Sequence, residues 1–251
     1  MPDAEPTPAS LPPLPRAVIW AAALLFGVGL GLLMFAISLL FRPPPPPKED
    51  IALRAKAVLE RHNAFPLSES LQKILADSKT FADPSQDHPL VGKPAPDFTL
   101  TAADGSKVSL ASLLANGPLV LVFYYGYYCD HCVAQLYALN QDLAYFNELG
   151  ATVAAASADA PEETRAKFAE YKDKGGAFAF PVLSDPENKT AERYQCFFPF
   201  KPGRPELQLH GTFLIDQKGV IRWAYTGLSP YTNHRSLLGT LDQLRRENAS
   251  R

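Results

Sequence analysis

Residues 117–132 read GPLVLVFYYGYYCDHC, an apolar and aromatic run closed by two cysteines three positions apart. Leu119 to Tyr125 is continuous, as expected of a central strand covered on both faces. Beyond the cysteines, Cys132, Leu136, Leu139, Leu143 and Phe146 recur at spacings of four and three, which predicts one helix ending at Gly150. The dithiol therefore falls at a strand-to-helix junction. There the first thiol lies over unpaired backbone N–H groups, which favour a thiolate. The chain has only three cysteines, too few for a disulfide-stapled scaffold. A structural zinc knuckle wants four ligands, and no second pair follows. A redox dithiol of Cys129 and Cys132 is the reading that remains.

Working outward, Phe98–Leu100 and Val108–Leu110 read as short strands about the Ala103-Asp104-Gly105 turn, and Thr152–Ala156 as a further strand. Asp159 with Glu162 resembles a capping box opening a helix that stops at Gly175-Gly176. Phe180–Leu183 predicts a brief strand, with a short helix after Asp185-Pro186. Thr212–Ile215 and Val220–Ala224 flank Asp216-Gln217-Lys218-Gly219 as a hairpin, and Leu237, Leu241 and Leu244 mark a terminal helix. Alternating strands and helices followed by a hairpin predict an α/β domain with a mixed central sheet.

No charged residue occurs from Ala17 to Phe41, long enough for one transmembrane helix. Residues 1–16 predict a disordered tail. Residues 42–88 predict a spacer, opened by the proline run 43–47, and a stalk with helical spacing at Ile51, Ala55, Val58 and Leu59. The domain itself is placed at 89–248. A net charge of −2 gives no footprint for nucleic acid.

Three stretches carry a resemblance: VGKPAPDFTLTAADGSKVSL at 91–110, GPLVLVFYYGYYCDHC at 117–132 and HGTFLIDQKGVIRW at 210–223. In this order the chain resembles the thioredoxin-fold redoxins, in the alkyl hydroperoxide reductase/thiol-specific antioxidant (AhpC/TSA) branch, and the membrane-anchored thiol–disulfide oxidoreductases beside it. The resemblance implies a thioredoxin-like fold with helices on both faces of the sheet. It also implies Cys129 as attacking thiol, Cys132 as resolving thiol, an external thiol reductant and no cofactor. Where peroxiredoxins carry a Pro and a Thr upstream of the attacking Cys, this chain has Val122 and Gly126. His210 stands where they tend to carry Arg, and in the register of the thioredoxin cis-proline.

These departures favour a single-pass, membrane-anchored thiol–disulfide oxidoreductase acting on protein or small-molecule disulfides. A peroxiredoxin-like thiol peroxidase acting on peroxides is the alternative. The third reading is a Sco-like copper-handling protein, with Cys129, Cys132 and His210 as soft ligands. His131, Tyr128 and His210 are the supporting residues: His131 to stabilise a thiolate, Tyr128 to shield it, and His210 to face the dithiol. Asp130 works against a thiolate through its charge, and Cys196, among apolar neighbours, reads as a small buried hydrophobe. Basic residues Arg42, Lys48, Arg54 and Lys56 argue for a cytoplasmic domain. The resemblance argues for the extracytoplasmic side, which is the expectation adopted.

Overall fold

The structure, a computed structural model, describes residues 50–61, 66–77, 85–170 and 178–249, with parts of 15–34. The predicted span at 17–41 lies largely outside the described residues, and among those described no helix is long and apolar enough to cross a membrane. The tail, the proline run and the predicted helix stop at Gly175-Gly176 also lie outside them.

The described residues from Asp50 onward form one compact unit. Its strands are β1 (Thr99–Ala102), β2 (Lys107–Ser109), β3 (Leu119–Phe123), β4 (Thr152–Ser157), β5 (Val182–Ser184), β6 (Phe197–Phe198), β7 (Leu207–Gln208), β8 (His210–Ile215) and β9 (Ile221–Gly227). Seven build a mixed sheet in the order β2-β1-β5-β4-β3-β8-β9. β3 pairs in parallel with β4 and antiparallel with β8, so it is central. All five of its residues are buried, as the unbroken apolar run requires. Alternation then divides them. Val120, Val122 and the following Tyr124 join one core, while Leu119, Leu121 and Phe123 join the other.

The helices are α1 (Ile51–Arg61), α2 (Leu71–Ala76), α3 (Leu110–Leu114), α4 (Asp130–Gln141), α5 (Leu143–Glu148), α6 (Pro161–Glu170), α7 (Lys189–Arg193) and α8 (His234–Ala249). Two expectations need correction. The single helix predicted through Phe146 is two, broken at Asp142. The Asp142 carboxylate is drawn away to accept the Leu67 N–H at 2.9 Å and to meet His234 Nδ1 at 2.7 Å. The Asp159–Glu162 capping box does not form. Glu163 instead accepts the Ala160 N–H, which frees Asp159 for the loop described below.

The segments expected as a stalk are part of the packing. Helix α1 lies along α4. Its Ile51, Ala55, Val58 and Leu59, with Leu71 and Ile74 of α2, are buried in the same core as Val120 and Leu136. Burying the Ile, Val and Leu side chains among them contributes roughly 1.5–3 kcal/mol each, ample reason for these helices to dock.

Candidate active site

Beyond Phe123 the chain leaves the sheet with the Tyr124 N–H bonded to the Ala156 carbonyl at 3.0 Å. It then turns through Gly126 at φ +151°, a conformation side-chain-bearing residues rarely adopt. A Cβ there would come within 2.7 Å of the Tyr128 ring and 2.8 Å of Asp159 Oδ1. Asp159, just past the end of β4, accepts the Tyr127 N–H at 2.7 Å and the Ser157 hydroxyl at 3.1 Å. Burial raises the Asp159 carboxyl above its ordinary range, with those two hydrogen bonds pulling the other way. One carboxylate thus clamps the turn that presents the dithiol.

Cys129 is the N-cap of α4, in extended backbone, and its Sγ accepts the Cys132 N–H at 3.3 Å. The two cysteines form a disulfide with Cα atoms 5.3 Å apart. They are unequal in access: Cys129 is half-buried, whereas Cys132 is fully buried. Helix geometry dictates this, because residue 132 lies one turn in and faces the core.

His210 opens β8. The antiparallel pairing of Phe123 with Gly211 sets the start of β8 beside the end of β3, and so beside the dithiol. His210 is buried, with Nε2 3.1 Å from Cys132 Sγ. The Tyr125 ring packs against the imidazole at 4.2 Å between centroids, held by its hydroxyl donating to the Gln208 carbonyl. Burial pushes the His210 pKa down to about 4, against an upward pull from the backbone of Gly227 and Leu228, so the ring is neutral near pH 7. The sulfurs of Cys129 and Cys132 and a nitrogen of His210 all lie within 4.8 Å of one another. Of the residues singled out from sequence, these three come together.

The other two point outward. Tyr128 is largely exposed, with its ring edge beside Gly126. The His131 side chain is half exposed, its Nε2 3.9 Å from Asp130 Oδ1. Asp130 itself is taken up by Arg54 of α1, whose Nε and Nη2 reach Oδ2 at 3.0 and 2.7 Å. Burial alone would raise the Asp130 carboxyl. Hydrogen bonds from Arg54 and from the His131 N–H, with the Arg54 charge, leave it below its ordinary range. Cys196 is buried beneath Gly211, and desolvation pushes its thiol far up, so it is inert.

Sequence reasoning missed Asp159, Arg54 and Tyr125. Asp159 had a signal, since a carboxylate just past the C-terminal end of a strand beside β3 faces the same end of the sheet as the dithiol. Arg54 had none, being 76 positions from its partner.

Residues 91–224 match the profile of the AhpC/TSA family. The chain belongs to the AhpC/TSA family. A Mycobacterium tuberculosis protein carrying a provisional peroxiredoxin name is 32% identical over 133 residues, 52% of this chain and 80% of its own length. Chloroplastic peroxiredoxin Q of Populus jackii is 30% identical over 137 residues, 53% of this chain and 59% of its own. Among solved structures, peroxidoxin BcpB of Mycobacterium tuberculosis superposes with a TM-score of 0.52 at 26% identity, covering 63% of this chain and 98% of that one. The family's members named here are peroxiredoxins, and this AhpC/TSA chain is an oxidoreductase with a thioredoxin-like fold.

Proposed function

We propose that the chain is a membrane-held thiol peroxidase in which Cys129 takes the peroxide oxygen and Cys132 closes the disulfide. The observation that carries this reading is the placement of Cys129. It caps α4 half-exposed, over the helix N-terminus, with the second thiol one turn in. Membership of the AhpC/TSA family and likeness to peroxiredoxins support it. The Cys129 thiolate attacks one peroxide oxygen, so that an S–O bond forms and the O–O bond breaks. The departing alkoxide or hydroxide takes a proton from solvent. Cys132, oriented by His210 Nε2 at 3.1 Å, then attacks the Cys129 sulfur, and the displaced hydroxide leaves with the Cys132 proton as water. An external thiol returns two electrons and two protons.

A second reading, thiol–disulfide exchange at the same dithiol, is favoured by one observation. At 122 and 126, where peroxiredoxins carry Pro and Thr, stand a buried valine and a glycine whose backbone a threonine would strain. The charge-free run 17–41 supports anchoring by a single span.

Peroxide consumption by the detergent-solubilised full chain, with a dithiol reductant in excess, tests the first reading. Cys129→Ser should abolish turnover, and Cys132→Ser should accumulate a sulfenic acid trapped by dimedone. If peroxide is not consumed faster than by Cys129→Ser, while a protein disulfide is reduced through a mixed disulfide trapped in Cys132→Ser, the second reading replaces it.

A further inference from the structure

We propose that the reduced dithiol and His210 form a three-coordinate copper(I) site, which the disulfide cannot occupy. This goes beyond the peroxidase reading and does not depend on it. The argument begins with the donors. Two thiolates and an imidazole are a soft set, and soft ligands select copper(I). Their atoms already lie within 4.8 Å of one another, and His210 Nε2 is 3.1 Å from Cys132 Sγ.

A trigonal site with bonds of about 2.3 Å to sulfur and about 2.0 Å to nitrogen needs S···S near 4 Å and S···N near 3.7 Å. Breaking the S–S bond lets the sulfurs separate to that distance. Cys129 has room to move, because it is half-buried at the exposed start of α4, and a small rotation of the freed Cys132 side chain opens its 3.1 Å separation from His210 Nε2 to the trigonal distance. His210 is buried with Nε2 turned toward Cys132 Sγ, so its nitrogen faces the pair of sulfurs. The Tyr125 ring packed against the imidazole holds its orientation and limits water.

The same inventory does not complete a structural zinc site, which takes four protein ligands; a zinc ion here would need water as its fourth ligand, and competition with zinc separates the two metals below. Among the described residues the cluster has three, and Asp130, the acidic residue beside Cys129 in the chain, is engaged by Arg54. Two thiolates and copper(I) leave a single negative charge. Oxidation then expels the metal: peroxide takes two electrons from the two thiolates, an S–S bond forms, two waters leave with the protons taken up, and copper(I) loses both sulfur ligands.

The test titrates the full chain in detergent, reduced without oxygen and freed of reductant, with copper(I) against bathocuproine disulfonate. Thiolate-to-copper absorption in the near ultraviolet gives stoichiometry, and X-ray absorption gives coordination number. The expected result is one copper per chain in the reduced form, three-coordinate, and none in the disulfide form. Cys129→Ser and Cys132→Ser should each weaken binding at least about 100-fold, since even loss of an outer partner costs 10–100-fold. His210→Ala and His210→Gln should weaken it at least about tenfold and lower the coordination number by one, with circular dichroism confirming that both variants fold. Cys196→Ala should leave it unchanged. Binding that persists in the disulfide form or in the Cys129→Ser/Cys132→Ser double variant would overturn the proposal. So would His210 variants with unaltered coordination, or displacement of copper(I) by equimolar zinc.

Discussion

Arg54→Ala should slow the reaction of Cys129 with an alkylating agent, although Arg54 lies well outside the residues that match the AhpC/TSA family. In the native protein Arg54 holds Asp130 through two hydrogen bonds of 3.0 and 2.7 Å, and Asp130 is the residue next to Cys129. Without Arg54 the Asp130 charge faces a forming thiolate uncompensated. Two like charges roughly 6.5 Å apart at an effective dielectric of about 40 repel by about 1.3 kcal/mol. The Arg54 side chain is 46% exposed, so screening reduces this to about half or somewhat more. A loss of about 0.6–0.9 kcal/mol is about a three- to fivefold smaller thiolate population at mildly acidic pH. The assay is the iodoacetamide rate at pH 6 on the reduced Cys132→Ser background, which isolates Cys129 from its partner. The fold itself should tolerate the change, because α1 is held by Ile51, Ala55, Val58 and Leu59. The cycle closes with Asp130→Asn, in which Arg54→Ala should have no further effect. An unchanged rate in Arg54→Ala would refute the reasoning, as would an equal slowing in the Asp130→Asn background.

Three further outcomes are expected. His210 has a folded pKa of about 4 against an ordinary 6.5, so its contribution to stability is present above pH 6.5 and is lost as pH falls from 6.5 through 4. The full loss is at most about 3–4 kcal/mol, read as a falling urea midpoint that flattens in His210→Gln; an equal fall in that variant would sink the assignment. Gly126→Ala should cost about 1–3 kcal/mol and slow Cys129, because the backbone is strained and the Tyr128 ring and Asp159 block the new Cβ. A variant as stable as the parent would remove the clamp described for this turn. Protease added to spheroplasts should remove the domain, in keeping with an extracytoplasmic placement. Full protection until lysis would place the dithiol in the cytoplasm.

Much of the fold was legible because its signals are local. The unbroken run from Leu119 to Tyr125, the hairpin about Asp216–Gly219 and the helical spacing of Leu237, Leu241 and Leu244 each rest on neighbours in the chain. The structure places β3, the β8–β9 hairpin and α8 there. The helix break at Asp142 was not legible: the carboxylate there is committed to His234, 92 residues away. The same division runs through the site. Cys129 and Cys132 declare themselves by spacing, and His210 by its register at the start of a strand. What tunes them comes from elsewhere in the chain.

That division explains why Asp159 was misassigned. Read locally, Asp159 and Glu162 have the spacing of a capping box, and nothing within ten residues contradicts it. In three dimensions β4 lies parallel to β3, so the two strands deliver their C-terminal ends side by side. The backbone turning away from β3 has N–H groups to satisfy there, and the Tyr127 N–H finds a carboxylate at 2.7 Å. A buried N–H left without an acceptor costs about 1–3 kcal/mol, more than a cap on a helix end near solvent contributes in most cases. The helix cap is then supplied by Glu163, one residue on. The long-range partner wins because its alternative is a buried unpaired donor, whereas the helix end has water and a second carboxylate within reach. For the same reason Gly126 follows from Asp159: once the carboxylate fills that space, a side chain at 126 has nowhere to go. Glycine at this position fits three features together: the φ of +151°, the Tyr128 ring and the Asp159 carboxylate just past the neighbouring strand.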